Sequence, residues 1–353
     1  MDIRSFKKVS DKILQTYIKK KIREAQKIAS WHRPHALVAY IEDTIFAGGK
    51  RIRPYLIYLA YKLFGGTKDS EVIRFSGSAE LVHTLALIHD DIIDQWEMRH
   101  NKPCFHKFAA ELIATDNKDH LGMSQAILAW DLVFSWAYEI LYSAYSLPTV
   151  SLAKAQKHMQ AMIEEVITWQ FLDGDCMVGD FVDLEKLEQK NHYKSGQYTF
   201  ARPLVTGAIL AGADKKSLKQ LEKIGAILGK AYQMRDDILD VTFVSGDDAS
   251  AYDNKTKFSD IQDGQQTYLT YYIHNNGSYT HRLAITKAMW KRLTNKQITE
   301  LRAVFIESGA VAYGMWLLRE YLIEAKKYIQ KLSVSHEKYK QYLYEIIGML
   351  ELA

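Results

Sequence analysis

The chain has 353 residues, 48% apolar and 25% charged, proportions of a folded globular protein that exclude disorder over most of its length. Its formal charge of +4, from 46 basic and 42 acidic residues, is too small to point to nucleic acid. Five prolines and 19 glycines are too few for a loop-rich β fold, so the composition leans helical.

Cys104 and Cys176 lie far apart without CxxC spacing. That argues against a disulfide framework or a cysteine-ligated zinc site, and makes a reducing, cytoplasmic compartment the expectation. Asp131 and Glu139 interrupt the best apolar run, so no transmembrane segment is expected. The opening MDIRSFKKVSDKIL has no apolar stretch of the signal-peptide kind.

Helical periodicity runs through the chain. Ile13, Tyr17, Ile22 and Ile28 mark a Lys-rich first helix with a solvated basic face. Residues 35–47 and 54–64 read as helices around the Gly48-Gly49 turn, and 71–97 as one long apolar helix. Further helices are expected over 122–145, 151–172, 203–212 and 215–241. The polar, Asp-rich stretch 246–264 reads as a loop. From Thr267 the pattern is helical again, with a turn near Asn275-Gly277. No strand alternation exceeds a few residues and no short repeat is evident. The expectation is one all-α domain over 1–353: an N-terminal helix in 1–35, a helical bundle with a central cavity, and a C-terminal helical extension in 331–353.

Two aspartate clusters stand out. Asp90, Asp91 and Asp94 follow the apolar run ELVHTLALIH; Asp236, Asp237 and Asp240 follow GAILGKAYQMR. In a helix, positions i and i+4 share a face, so Asp90 pairs with Asp94 and Asp236 with Asp240. Neighbouring carboxylates repel, and their simplest stabiliser is a divalent cation. Hard oxygen ligands with few protein contributions suit Mg²⁺, with substrate phosphates completing the shell. One such cluster alone reads as a solvated helix end. Two copies, each ending an apolar helix, read as one polynuclear site for a diphosphate.

A basic complement is present. Gly48-Gly49-Lys50-Arg51-Ile52-Arg53-Pro54 places three cations in four residues at a helix start, a phosphate-binding arrangement. Lys50 and Arg53 fall on one side of it. Arg99 follows the first cluster, and Lys194, Lys255 and His83 are further candidates. His83 lies two turns before Asp90 on the same helix, which tilts it towards a cavity rather than a core role.

These residues resemble the trans-isoprenyl diphosphate synthases, or polyprenyl synthetases. The match runs in order over about residues 36–330: GGKRIRP (48–54), ELVHTLALIHDDIID (80–94), MRHNKPCFH (98–106), AILAWDL (126–132), WQFLD (169–173), KSGQYTFARPL (194–204), AYQMRDDILDV (231–241) and KTKFSD (255–260). The resemblance implies an all-α bundle of the isoprenoid synthase type, usually a homodimer. It implies condensation of isopentenyl diphosphate with an allylic diphosphate, using about three Mg²⁺ ions. By the same resemblance, Asp90, Asp94 and Asp236 bind the metal directly. Asp91, Asp237 and Asp240 act through water or as weaker ligands. Arg99, Lys194 and Lys255 face the allylic diphosphate, and Ser195 and Gln233 stabilise the cation. Lys50, Arg53 and His83 hold isopentenyl diphosphate. Gln170 and Asp173 match a supporting GQxxD pair.

The chain departs from the family pattern in places. His100 stands where a second arginine for isopentenyl diphosphate is usual, and Gln265 where a lysine precedes the Thr-Tyr pair. Trp130 and Trp169 replace common glycines. Ala86 and Leu85, four and five residues before Asp90, are not the aromatic floor of a C15 enzyme. A deeper floor near Leu81 or Val82 favours geranylgeranyl diphosphate, with farnesyl and longer products as alternatives. A class I terpene cyclase shares the fold but carries a different second metal motif. A non-catalytic partner subunit is the reading that His100 and Gln265 would favour.

Overall fold

The computed structural model describes residues 1–28, 32–144, 146–176, 184–242 and 258–352, for 32 and 172–176 as backbone alone. Helices dominate it: α1 (Ile3–Ile28), α2 (His32–Phe46), α3 (Ile52–Leu63), α4 (Asp69–Ile93), α5 (Phe105–Glu111), α6 (Lys118–Tyr142), α7 (Thr149–Cys176), α8 (Leu184–Asn191), α9 (Arg202–Leu210) and α10 (Lys215–Thr242). Shorter helices follow at Ser259–Gln262, Tyr268–Asn276, Tyr279–Ala288 and Asn295–Glu307, then Ala310–Lys331 and Lys340–Leu350. Among the described residues no single helix is long and apolar enough to cross a membrane.

The residues gather into two compact units, 1–159 with 206–213, and 160–205 with 214–353. In the first, α4 packs on α1, α3 and α6. It is buried over most of its circumference, and its Val72, Phe75, Ala79, Leu81 and Val82 are at most 1% exposed. The buried face of α1 is Phe6, Leu14, Ile18 and Ile22. The expected marker Ile28 is 89% exposed instead, because the stripe runs along the other i, i+4 row.

The stretch expected as one helix over 71–97 stops at Ile93. Asp94 caps it, and Gln95 adopts a left-handed φ of 56° that turns the chain away. A two-strand hairpin follows, Met98–Arg99 against Lys102–Pro103. His100 and Asn101, at φ 50° and 60°, make its two-residue turn. Strands of two residues are too short to show alternation, so the sequence pattern passes over them.

In the second unit α10 packs on Ala310–Lys331 and on His192–Ala201, which is wound as a π-helix. Glycine makes the latter contact possible. A Cβ on Gly229 would stand 2.2 Å from Gly196 Cα, and one on Gly225 2.3 Å from Ala201 Cα. Backbone thus meets backbone, and the π segment is held one atom's width from the helix that carries the second aspartate cluster. Gly229→Ala is expected to destabilise the protein by ~1–3 kcal/mol through overpacking, measured as a lower urea midpoint. Gly348→Ala, where an added Cβ meets nothing within 4 Å, serves as the control and is expected to be neutral or stabilising.

Candidate active site

In the first unit the chemistry gathers at the end of α4. The Asp91 side chain is buried, and Oδ1 accepts from Arg99 Nε at 2.7 Å and Nη2 at 2.6 Å. Asp90 and Asp94 lie on the neighbouring, part-exposed side of the same turn. The two backbone bonds that end the helix, Asp94 N to Asp90 O at 2.8 Å and Trp96 N to Asp91 O at 3.0 Å, fix that turn. Arg99 comes from the first hairpin strand, so the hairpin is what delivers the countercharge.

The glycine turn before α3 divides its cations. Arg51, at φ 56°, is buried and points inward. Its Nε donates to Asp11 Oδ1 at 2.7 Å, Nη1 to Glu80 Oε1 at 2.6 Å and Nη2 to the Ile45 carbonyl at 3.0 Å. This arginine is a structural lock between α1, α2, α3 and α4. Lys50 is exposed and Arg53 half-buried in the first turn of α3. A cavity of about 70 Å³ at the turn is lined by Gly48, Gly49, His83, Asp91, Arg99 and His100, and of the three cations Arg51 alone is in its lining. The His100 ring packs on Gly48, where an added Cβ would come within 3.3 Å of it. Burial, then the adjacent Arg99, lowers the His100 pKa; burial, then Arg53, Arg99 and Arg51, puts His83 well below the imidazole range. Both shifts favour the uncharged ring.

Trp130 packs its added bulk between rings. It stacks on His89 of α4 at 4.4 Å and on Phe134 at 5.2 Å, and the row continues along α6 through Tyr138 and Tyr142. Spacing of four residues puts all four aromatic side chains on one face.

In the second unit a hydrogen-bonded line ties the π segment to α10. Ser195 Oγ donates to Gln233 Oε1 at 2.8 Å, and Gln233 Nε2 donates to Asp237 Oδ1 at 2.8 Å. Tyr268 N donates to Asp237 Oδ2 at 3.2 Å. Asp240 is 9% exposed and accepts from Ser259 N at 3.0 Å and Oγ at 2.9 Å. Asp236 is part-exposed, and Lys194 is exposed on the π segment. Trp169 is buried and stacks on Tyr193 at 5.7 Å. Lys255 and the Asp173 side chain lie outside the described residues.

The structure thus brings Ser195, Gln233 and Asp237 together, and brings Asp91 to Arg99. Sequence reasoning missed the inward role of Arg51. It also missed the π winding of 192–201, for which no local residue pattern is diagnostic. Among the described residues no three carboxylate, histidine or cysteine groups enclose an ion by themselves. The donor set nevertheless fits a hard cation that takes part of its shell from phosphate, since each helix end offers one or two accessible carboxylates.

Burial pushes the Asp237 carboxyl up to about 7, with Asp260 and Asp236 adding to it and the Gln233 and Tyr268 hydrogen bonds opposing. The folded chain therefore holds this proton more tightly than the unfolded chain, whose value is 3.8. The resulting stability is fully present below that value and lost as pH rises through about 7. In chelator, the unfolding free energy is expected to fall between pH 4 and 7, and Asp237→Asn to flatten that slope. An unchanged slope in the variant would contradict the assignment.

Residues 34–305 match the family described as Polyprenyl synthetase. The geranylgeranyl diphosphate synthase of Sulfolobus acidocaldarius is 28% identical over 290 residues, 81% of this chain and 82% of that one. The geranylfarnesyl diphosphate synthase of Aeropyrum pernix is 27% identical over 306 residues, 85% and 88% of the two chains. The crystal structure of geranylgeranyl pyrophosphate synthase from Corynebacterium glutamicum, complexed with isoprenyl diphosphate and magnesium, aligns with a TM-score of 0.90 at 25% identity over 99% of each chain. With the family match spanning most of its length and both aspartate clusters, the chain belongs to the polyprenyl synthetase family.

Proposed function

We propose that the protein is a prenyltransferase that joins isopentenyl diphosphate to an allylic diphosphate and releases linear, all-trans geranylgeranyl diphosphate. The observation that carries this reading is the division of labour at the two helix ends. In each, one aspartate is buried and held by a protein partner, Asp91 by Arg99 and Asp237 by Gln233, and its neighbours Asp90, Asp94 and Asp236 are part-exposed. Those three are the direct ligands in this reading, with Asp91, Asp237 and Asp240 acting through water. Bound there, about three Mg²⁺ ions would hold the allylic diphosphate and offset its charge as it leaves.

The chain's own groups supply the rest. Arg99, Lys194 and Lys255 add positive charge for the leaving diphosphate, which departs with the electron pair of the broken C–O bond. Ser195 uses its proton on Gln233, so its oxygen lone pairs remain to face the allylic cation. Lys50 and Arg53 bind isopentenyl diphosphate through charge, and His83 and His100 add hydrogen bonds. The isopentenyl double bond attacks the cation, a C–C bond forms, and the departing diphosphate takes the proton that is lost.

Product length follows from α4. Ala86 is small and half-buried, whereas Leu85, Leu81 and Val82 are at most 2% exposed. No aromatic floor stands one turn before Asp90, which supports a C20 product over C15. The similarity to a geranylfarnesyl synthase keeps the next length, C25, as the reading to exclude. The exposed α6 side chains Met123, Ile127 and Leu128 support a homodimer.

The deciding experiment sizes the products formed from labelled isopentenyl diphosphate, Mg²⁺ and C5, C10 or C15 primers. A ladder ending at C20 is expected. Asp90→Ala and Asp236→Ala are each expected to lower turnover by about 100-fold or more, and Ala86→Phe to shorten the product. Cyclised hydrocarbons, or no elongation from any primer, would contradict the reading.

A further inference from the structure

Position 265 holds glutamine where the family resemblance leads one to expect a lysine for the allylic diphosphate. Within the second unit, Lys190 Nζ donates to Gln265 Oε1. Lys190 is the penultimate residue of α8 and only 8% exposed. An ammonium group is not buried without a purpose, because removing it from water is costly. Here it ends within one hydrogen bond of the tip of side chain 265. A lysine at 265 would place a second ammonium against it. Like charges in contact repel, so a lysine at 265 and Lys190 in this position would disfavour each other.

The surroundings place the pair next to the second aspartate cluster. Gln265 N donates to the Asp260 carbonyl at 2.6 Å. Asp260 is close enough to Asp237 to raise its pKa, and Tyr268 N binds Asp237 directly. The segment 260–268 therefore ties Gln265 to the second aspartate cluster. Lys190 also stands four residues before Lys194, about one turn along where α8 passes into the π segment.

We propose that Lys190 supplies the diphosphate-binding cation that position 265 has given up, with Gln265 aiming its ammonium. This rests on the allylic diphosphate reading above. It makes Gln265 part of an exchanged pair rather than a mark of a defunct site.

The test uses the full-length protein with Lys190→Met, Gln265→Lys and the double variant. Lys190→Met is expected to raise KM for the allylic diphosphate roughly 10- to 100-fold, the range for a lost charge-assisted hydrogen bond. KM for isopentenyl diphosphate is expected to stay within about twofold. Adding Gln265→Lys to Lys190→Met is expected to restore most of the loss, whereas Gln265→Lys alone is expected to bring no gain. Gln265→Glu keeps Lys190 in place but pairs its charge, so it is expected to raise the same KM without unfolding the protein. An allylic KM unchanged in Lys190→Met and Gln265→Glu would overturn the inference. So would a loss shared equally by both substrates and not rescued by Gln265→Lys. Calorimetric titration with inorganic pyrophosphate and Mg²⁺ separates this inference from the parent reading. If the wild type elongates no primer, the parent reading fails. Pyrophosphate affinity still decides Lys190: weaker in Lys190→Met supports the inference, equal contradicts it.

Discussion

Carboxylates massed at the C-terminal end of a buried helix are the constraint on which the rest of this structure depends. The last carbonyls of a helix already carry partial negative charge, so Asp90–Asp94 at the end of α4 and Asp236–Asp240 at the end of α10 stand where acids are least favoured. Neither helix can turn its end away, because each is enclosed by its own unit. The protein meets the load piecemeal. Arg99 takes Asp91, Gln233 and the Tyr268 amide take Asp237, and Ser259 takes Asp240. Asp90, Asp94 and Asp236 are part-exposed, and in the proposed reading they are the metal ligands. In the proposed reading, a bound cation would offset the charge that remains at the two helix ends.

Holding such a site requires stiff supports, and they differ between the units. In the first, Arg51 gathers Asp11, Glu80 and the end of α2 in one buried cluster. Its worth lies in geometry more than in energy. A buried ion pair repays little over an apolar replacement, but removing one partner strands the other. In the second, glycine against backbone replaces charge: Gly225 and Gly229 let α10 meet the π segment at closest approach. That contact sets Ser195 opposite Gln233, and through Gln233 it fixes Asp237. A π-helix shifts the side-chain register relative to an α-helix, and such segments recur at functional sites.

Much of this was legible in the sequence, for physical reasons. Apolar periodicity located the long helices, and carboxylates following apolar runs located the helix ends where Asp90 and Asp236 sit. Local chemistry with no periodic signature escaped. The hairpin at 98–103 is too short to alternate, although Asn101 in a two-residue turn was its one available signal. Helical spacing sets Lys50 and Arg53 apart from Arg51, but it does not show that Arg51 turns inward onto Asp11 and Glu80, residues 40 and 29 positions away. The Lys190–Gln265 pair joins residues 75 apart in sequence, so only the folded chain reveals the contact from which the exchanged-cation proposal is drawn. Residues 243–257, which include Lys255, lie outside what the structure describes.

In the proposed reading the two aspartate clusters hold a metal-bound diphosphate. Thermal unfolding with Mg²⁺ and inorganic pyrophosphate, added singly and together, tests it most directly. A ligand that binds only the folded state raises the midpoint. The account predicts a large upward shift with both present, little with either alone, and loss of the joint shift in Asp90→Asn and Asp236→Asn. A joint shift that persists in both variants, or none in the wild type, would contradict it.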